Sequence, residues 1–186
     1  MEIKCGIDEA GRGPIAGPVC AAAVILDETF PFELLNDSKK LTEKKRFQIE
    51  AIIKEKAVGW ALGWVNHRTI DKINILEATM VAMQKAYTNL ESKVGKVDLT
   101  LVDGNKAPSL NCKVESVVKG DSKIYEIMAA SILAKCARDR LMITLDKKFP
   151  NYGYAKHKGY GTKEHRYACV TYGPSPIQRL SFNYRF

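Results

Sequence analysis

Residues 1–26 read MEIKCGIDEAGRGPIAGPVCAAAVIL. From Met1 to Asp8, apolar Ile3, Cys5 and Ile7 alternate with polar Glu2 and Lys4, the period-two pattern of a strand. Gly6 to Gly17 is glycine-rich and reads as a turn. Val19 to Leu26 is a short, unbroken apolar run, as expected of a second strand buried on both faces. A strand following the glycines, where a helix would be needed, excludes a Rossmann dinucleotide site. No Gly-Lys-Ser/Thr follows them either, and Pro14 and Pro18 remove amides that a P-loop would use to cradle phosphate.

Outward from this unit, Ala57 to Asn66 reads as a third strand with Trp60, Leu62 and Trp64 on one face. Thr42 can cap a helix that starts at Glu43 and runs to about Lys56, with Phe47, Ile49, Ile52 and Ile53 as its apolar side. Asp71 to Ser92 is the most periodic stretch, with Leu76, Met80, Met83, Tyr87 and Leu90 at spacings of four and three, and is expected to be one helix. Val97 to Asp103 and Lys113 to Val118 are further strands, closed by Asp103-Gly104 and Lys119-Gly120. Asp121 is expected to open a long helix that Pro150 stops after Phe149. Beyond it, Gly and Pro punctuation leaves room for one short helix, Thr162 to about Val170. The elements imply an α/β protein with a mixed sheet and helices on its faces. With 186 residues and no internal repeat or linker, one domain over 1–186 is expected.

Charged residues make up 27% of the chain, no apolar run approaches the ~18 residues of a membrane span, and no signal pattern follows Met1. Five widely separated cysteines (Cys5, Cys20, Cys112, Cys136, Cys169) show no zinc or redox spacing, so reduced thiols in a cytoplasm are expected. The net charge is +8, and residues 147–186 carry +7 of it, eight cations against Glu164 alone. The same segment holds six of the eight tyrosines. Cations that attract phosphates, mixed with rings that stack on sugars or bases, point to nucleic acid; a solvated basic tail with aromatics docked on the core is the competing reading.

Four carboxylates stand at element ends. Asp8 and Glu9 close the first strand, Asp103 closes the fourth, and Asp121 precedes the long helix. Neighbours in a regular strand face opposite ways, so Asp8 and Glu9 share a site if the backbone turns, which Gly11 and Gly13 permit. Four converging carboxylates would repel one another unless a cation were present, and hard oxygen donors without His or Cys select Mg²⁺ or Mn²⁺. Asp121 as a helix N-cap, Asp103-Gly104 as a turn and Asp8-Glu9 as a solvated pair are the alternatives. A nucleophilic hydrolase has no support: Gly-x-Ser-x-Gly is absent, and His67, His157 and His165 have no evident serine or cysteine partner in sequence.

Taken together, six segments resemble one family, the bacterial type-two ribonucleases H (ribonuclease HII). Gly6-Ile7-Asp8-Glu9-Ala10-Gly11-Arg12-Gly13-Pro14 is similar to its N-terminal signature, and Asp37-Ser38-Lys39-Lys40-Leu41 to its basic loop. Val102-Asp103-Gly104 and Lys119-Gly120-Asp121 resemble its third-acid and fourth-acid turns. Ala130-Ser131-Ile132-Leu133-Ala134-Lys135 with Arg138-Asp139 resembles its long-helix signature, and Lys158-Gly159-Tyr160-Gly161-Thr162 with His165 its tyrosine motif. The likeness runs from about Ile3 to Phe182. One departure is visible: the family's His-Arg-x-Ser-Phe ending appears here as Gln178-Arg179-Leu180-Ser181-Phe182, which bears on a C-terminal contact rather than on the chemistry.

The resemblance implies an RNase H-like fold, a mixed five-stranded sheet flanked by helices, with residues 150–186 as a basic, aromatic C-terminal helical extension that binds substrate. It implies Asp8, Glu9, Asp103 and Asp121 as catalytic ligands of two Mg²⁺ or Mn²⁺ ions. It implies an endoribonuclease that hydrolyses the RNA strand of RNA–DNA hybrids and cuts 5′ of ribonucleotides embedded in duplex DNA, leaving 3′-hydroxyl and 5′-phosphate ends. Gly11, Arg12 and Gly13 would read the 2′-hydroxyl and its phosphate, and Tyr160 would stack on the following deoxyribose. Lys39, Lys40 and Lys158 would hold phosphates, Ser131 and Lys135 would serve packing and a salt link, and the chain would act as a monomer. The alternatives are a non-catalytic nucleic-acid-binding module and an RNase H-fold DNA nuclease of the resolvase or transposase kind.

Overall fold

The computed structural model describes residues 2–35 and 41–186. Five strands form one sheet: β1 (Lys4–Ala10), β2 (Val19–Ile25), β3 (Gly59–Val65), β4 (Leu99–Asp103) and β5 (Lys113–Val117), in the order β3-β2-β1-β4-β5. The first three pair antiparallel, with Gly6 opposite Val24 and Ala22 opposite Leu62; β4 joins β1 in parallel, with Ile7 opposite Val102, and β5 joins β4 in parallel. The mixed sheet and its flanking helices are those expected.

Strand β2 is buried along its whole length, as its unbroken apolar run requires. Val19, Ala21, Ala23 and Ile25 join one core cluster, under α3 (Ile75–Val94). Ala22 and Val24 join the other, under α1 (Glu43–Lys56) and α4 (Tyr125–Lys148). Two glycines set how closely the helices approach. A Cβ on Gly63 would lie 2.0 Å from the Ala82 carbonyl oxygen of α3, and one on Gly6 would lie 2.3 Å from the Glu126 backbone of α4. Gly6 therefore lets the start of α4 rest directly on β1, two residues before Asp8.

The Thr42 cap forms as expected, accepting from the Lys45 amide at 3.3 Å. The stretch 71–92 is not one helix: α2 (His67–Ile73) and α3 are separated by Asn74, which adopts a φ of +69° and accepts from the Glu77 amide at 3.1 Å. Asparagine tolerates the left-handed region and caps well, so the apolar period continues across a broken backbone. Asp121 does not cap α4. It lies in a single 3₁₀ turn, Gly120–Ser122, and the helix begins four residues later at Tyr125.

After Pro150 the chain makes a 3₁₀ turn, a single-turn α5 (Tyr154–His157) and α6 (Lys163–Tyr172), capped by Thr162. A third small cluster, Ala16, Met142 and Tyr154, joins this segment to α4 and to the glycine-rich turn. No described helix is long and apolar enough to cross a membrane, and all five cysteines are free thiols.

Candidate active site

The parallel pairing of β1 with β4 places Asp8 and Asp103 at the same end of the sheet, each one residue past the Ile7–Val102 pair. Asp8 is buried and accepts from the Glu9 amide at 2.7 Å. Burial, then the Glu9 carboxylate and Asp103, push the Asp8 carboxyl well above its usual range, against a hydrogen bond from the Ser131 side chain of α4. Strand β1 stays regular through Ala10, yet the Glu9 carboxyl comes within hydrogen-bond reach of the Asp8 carboxyl and lines a small cleft beside α3 with Thr79, Met83, Asp103 and Lys106. Burial raises its pKa too, and Arg12, 3.4 Å away, pulls it back. Asp121 reaches the same end through its amide, which donates to Asp103 Oδ1 at 3.2 Å.

All four acids thus gather at one end of β1 and β4, with β1 regular through Ala10 and no backbone turn at Asp8-Glu9 of the kind expected. Among the described residues, no three acidic, His or Cys side chains are drawn close enough to cage a cation as they stand. The donor set nevertheless suits a hard divalent ion: every donor is a carboxylate oxygen, and the buried Asp8 is surrounded by like charge that such an ion would relieve.

Beside the acids lies the turn from Gly11 to Pro18. Gly11 is buried at a φ of +101°, where a Cβ would strike the Arg138 side chain at 2.2 Å. Arg12 and Gly13 are exposed, and a Cβ on Gly13 would stand 3.4 Å from the Tyr160 ring. Tyr160 is 43% exposed, with the Lys135 ammonium 5.8 Å over its ring. Lys135 also pairs with Asp139 at 2.6 Å, the salt link expected of it. The Tyr160 backbone is pinned by His157, whose carbonyl accepts its N–H at 2.9 Å, and by His165, whose Nδ1 meets its carbonyl at 2.8 Å.

Lys158 is placed differently from an open phosphate clamp: its side chain is 13% exposed, lies 3.3 Å from Glu43 and donates to the Ala155 carbonyl. Lys39 and Lys40 lie outside the described residues. Sequence reasoning missed Ser131 as a partner of Asp8, and it missed the two buried arginines behind the turn, Arg138 and Arg179. Gln178, at the departure from the family's ending, donates to the Ile15 carbonyl at 2.7 Å and accepts from the Cys169 thiol at 3.3 Å.

The strand order with acids at the ends of its two central parallel strands defines an RNase H-like nuclease. A solved ribonuclease H2 from Pyrococcus horikoshii OT3 superposes with a TM-score of 0.77 at 25% identity, covering 98% of this chain and 94% of that one. Bst-RNase HIII in complex with Mn²⁺ gives the same TM-score at 15% identity, covering 98% of this chain and 68% of that one, a likeness of fold. A family model described as Ribonuclease HII matches residues 5–185, and the Ribonuclease HII of Treponema denticola is 53% identical over 96% of both chains. The chain belongs to the ribonuclease HII family, and it is an endoribonuclease of the ribonuclease H type.

Proposed function

We propose that this chain hydrolyses the RNA strand of RNA–DNA hybrids and cuts 5′ of single ribonucleotides embedded in duplex DNA, with Asp8, Glu9, Asp103 and Asp121 holding two Mg²⁺ or Mn²⁺ ions. Such ions, when bound, supply activation of water and neutralisation of charge on the leaving 3′ oxygen, giving 3′-hydroxyl and 5′-phosphate ends. The observation that supports this most is adjacency: the Gly11-Arg12-Gly13 turn leaves β1 directly after Asp8 and Glu9, and Gly13 faces the Tyr160 ring. Ribose reader and acids are therefore a few residues apart on one continuous backbone.

The chain's own residues divide the work. Glycine at 13 lets a sugar-phosphate approach the main chain next to Tyr160, and the exposed ring stacks on the sugar that follows. A 2′-hydroxyl on that sugar would collide with the ring, which favours a 5′-RNA-DNA-3′ junction. Arg12 reaches from the turn to Glu9 and couples the reader to the acids. Residues 150–186 serve as the extension that carries Tyr160, with Lys39 and Lys40 as phosphate contacts and Lys158 held back by Glu43. The protein works as a monomer in the cytoplasm.

A duplex carrying one ribonucleotide, incubated with and without Mg²⁺, tests the reading. A metal-dependent cut on the 5′ side of the ribonucleotide is expected. A cut elsewhere, or equal cutting of an all-deoxy duplex, would refute it and favour a DNA nuclease.

A further inference from the structure

The ribose-reading turn is held from within by an arginine 160 positions and more away. Arg179 is fully buried. Its Nε donates to the Gly17 carbonyl at 2.9 Å, one terminal nitrogen to Arg12 (3.0 Å) and Pro14 (2.7 Å), and the other to Gly11 (2.6 Å) and Pro18 (3.2 Å). A guanidinium has five N–H donors, and here five carbonyls of one turn accept them. The backbone adds two further stitches: the Arg179 amide donates to Ile15 and the Gly17 amide to Ile177, both at 2.9 Å. From the other side Arg138 donates to Pro18, Ala16 and Lys158.

None of the described peptide bonds is cis. In a trans peptide the carbonyl and the following N–H point in opposite directions. The Gly11 and Arg12 carbonyls point inward at Arg179, so the N–H groups of Arg12 and Gly13 point outward, at two exposed positions beside Tyr160. Successive outward amides form a small concave donor pair suited to an oxygen acceptor. A buried cation is expensive to keep, and five carbonyls with no carboxylate among them are an unusual way to compensate it. Stability alone would be served as well by an apolar side chain and a self-satisfied turn.

We propose that Arg179 is the positioning residue of the ribose-reading turn: by binding the Gly11 and Arg12 carbonyls it aims the Arg12 and Gly13 amides at the ribonucleotide, and so sets the discrimination of ribose from deoxyribose. This rests on the reading of Gly11, Arg12 and Gly13 as the substrate-reading turn. Lysine cannot replace it, because an ammonium offers three donors from one point in place of a planar fork.

The test compares wild type, Arg179→Lys and a core variant remote from the turn, Ile53→Val, below each melting temperature. Affinities for a duplex with one ribonucleotide and for its all-deoxy counterpart are measured without divalent ions, and kcat and KM with Mg²⁺. Arg179→Lys is expected to cut the ribose preference about tenfold and raise KM, with all-deoxy affinity unchanged; Ile53→Val should leave the preference intact. Retention of the full preference in Arg179→Lys would overturn the proposal and make the arginine a structural staple. If the lysine variant does not fold, Arg179→Ala supplemented with methylguanidinium replaces it: return of the preference supports positioning, and return of folding without it, or no folding at all, overturns it. A chain with an ester at Gly13, made by ligating a synthetic 1–19 segment to residues 20–186 at Cys20, deletes that N–H and keeps the Arg179 side chain, weakening only the Arg12 carbonyl among its five acceptors. Intact preference there would defeat the reading of the turn itself; lost preference there with none lost in Arg179→Lys would defeat the positioning role alone.

Discussion

The acid end of the sheet and the turn beside it are built on opposite principles. Asp8 and Asp103 are placed by regular strand pairing, and what surrounds them is repulsion: burial and like charge make Asp8 costly to ionise. The Gly11–Pro18 turn has no regular pairing beyond one isolated bridge, Ala16 to Gln178, and what surrounds it is satisfaction, with carbonyl after carbonyl taken up by Arg138 and Arg179. One region is left wanting a cation, and the other already has two. The contrast fits the proposed division of chemistry to the first and shape to the second, because strained charge is useful where a metal and a phosphate come together, and a saturated backbone is useful where a sugar is measured.

The largest effect should come from removing charge at the acid end. Asp8→Asn or Asp103→Asn keeps size but deletes the charge of a proposed metal ligand, so cleavage should fall by about 100-fold or more. Duplex binding should persist, since the turn and the basic extension are untouched. Steady-state cleavage and gel-shift titrations check both halves, and near wild-type turnover in the two variants would collapse the division.

The two regions also differ in how far they can be read from the chain. The Thr42 cap, the buried run of β2 and the start of β5 are local signals, complete within a few residues, and they match. The Asn74 break has a local signal as well, Asn three residues before Glu77, hidden because the apolar spacing runs through it. The acids are legible as residue types, whereas their convergence depends on a parallel pairing between β1 and β4, nearly a hundred residues apart. Arg179 is the extreme case. Its bonds span 161 to 168 positions, it sits between a buried Gln178 and an exposed Leu180, and nothing in composition or period separates a buried arginine from a phosphate-binding one. The +7 of the last forty residues is accordingly misleading: Arg166 binds the Gly161, Asn183 and Arg185 carbonyls, Arg179 the turn, and Lys158 is paired with Glu43.

Tyr160 tests whether the reading region selects substrate or merely packs. Its ring is 43% exposed, so Tyr160→Ala opens no large cavity and should barely shift the melting temperature. A lost sugar contact should lower activity on a single embedded ribonucleotide roughly tenfold. A marked thermal loss with junction preference intact would make the ring a core residue and leave selection to Arg12 and its glycines.

Acidification should affect the two regions in opposite senses. Buried His165, 4.5 Å from the His157 ring, has its pKa lowered to about 4, by burial first, with His157 and Arg166 adding to it against hydrogen bonds to the Tyr160 carbonyl and the Gln178 side chain. Its unfolded value is about 6.5, so between 6.5 and 4 the unfolded chain takes up the proton first. This contribution is fully present above pH 6.5 and is lost as pH falls toward 4. Asp8 and Glu9, raised instead, work against that loss in metal-free protein. The difference between wild type and His165→Asn isolates the histidine: melting temperature should decline more steeply from pH 7 to 5 in wild type, and parallel curves would show that His165 does not titrate with unfolding.

The smallest effect separates affinity from reading inside the extension itself. Lys156 is 80% exposed with only a loose pairing to Glu164 at 3.8 Å, and Lys163 is exposed, whereas Lys158 is held by Glu43 and the Ala155 carbonyl. If binding here is counterion release, each cation that meets a phosphate contributes roughly 0.9 to the slope of log affinity against log salt. Neutralising Lys156 and Lys163 together should therefore flatten that slope by up to about 2, weakening all duplexes alike, ribose-containing or not. Adding Lys158→Met should change the slope little, because forming a phosphate contact would first require breaking its pair with Glu43. Salt titrations of the double and triple variants decide it. A triple variant that loses a further full unit of slope would mean that Lys158 leaves Glu43 for the backbone of the duplex, and a shifted cut site with an unchanged slope would mean that these lysines read the substrate, moving the border between affinity and reading into the extension.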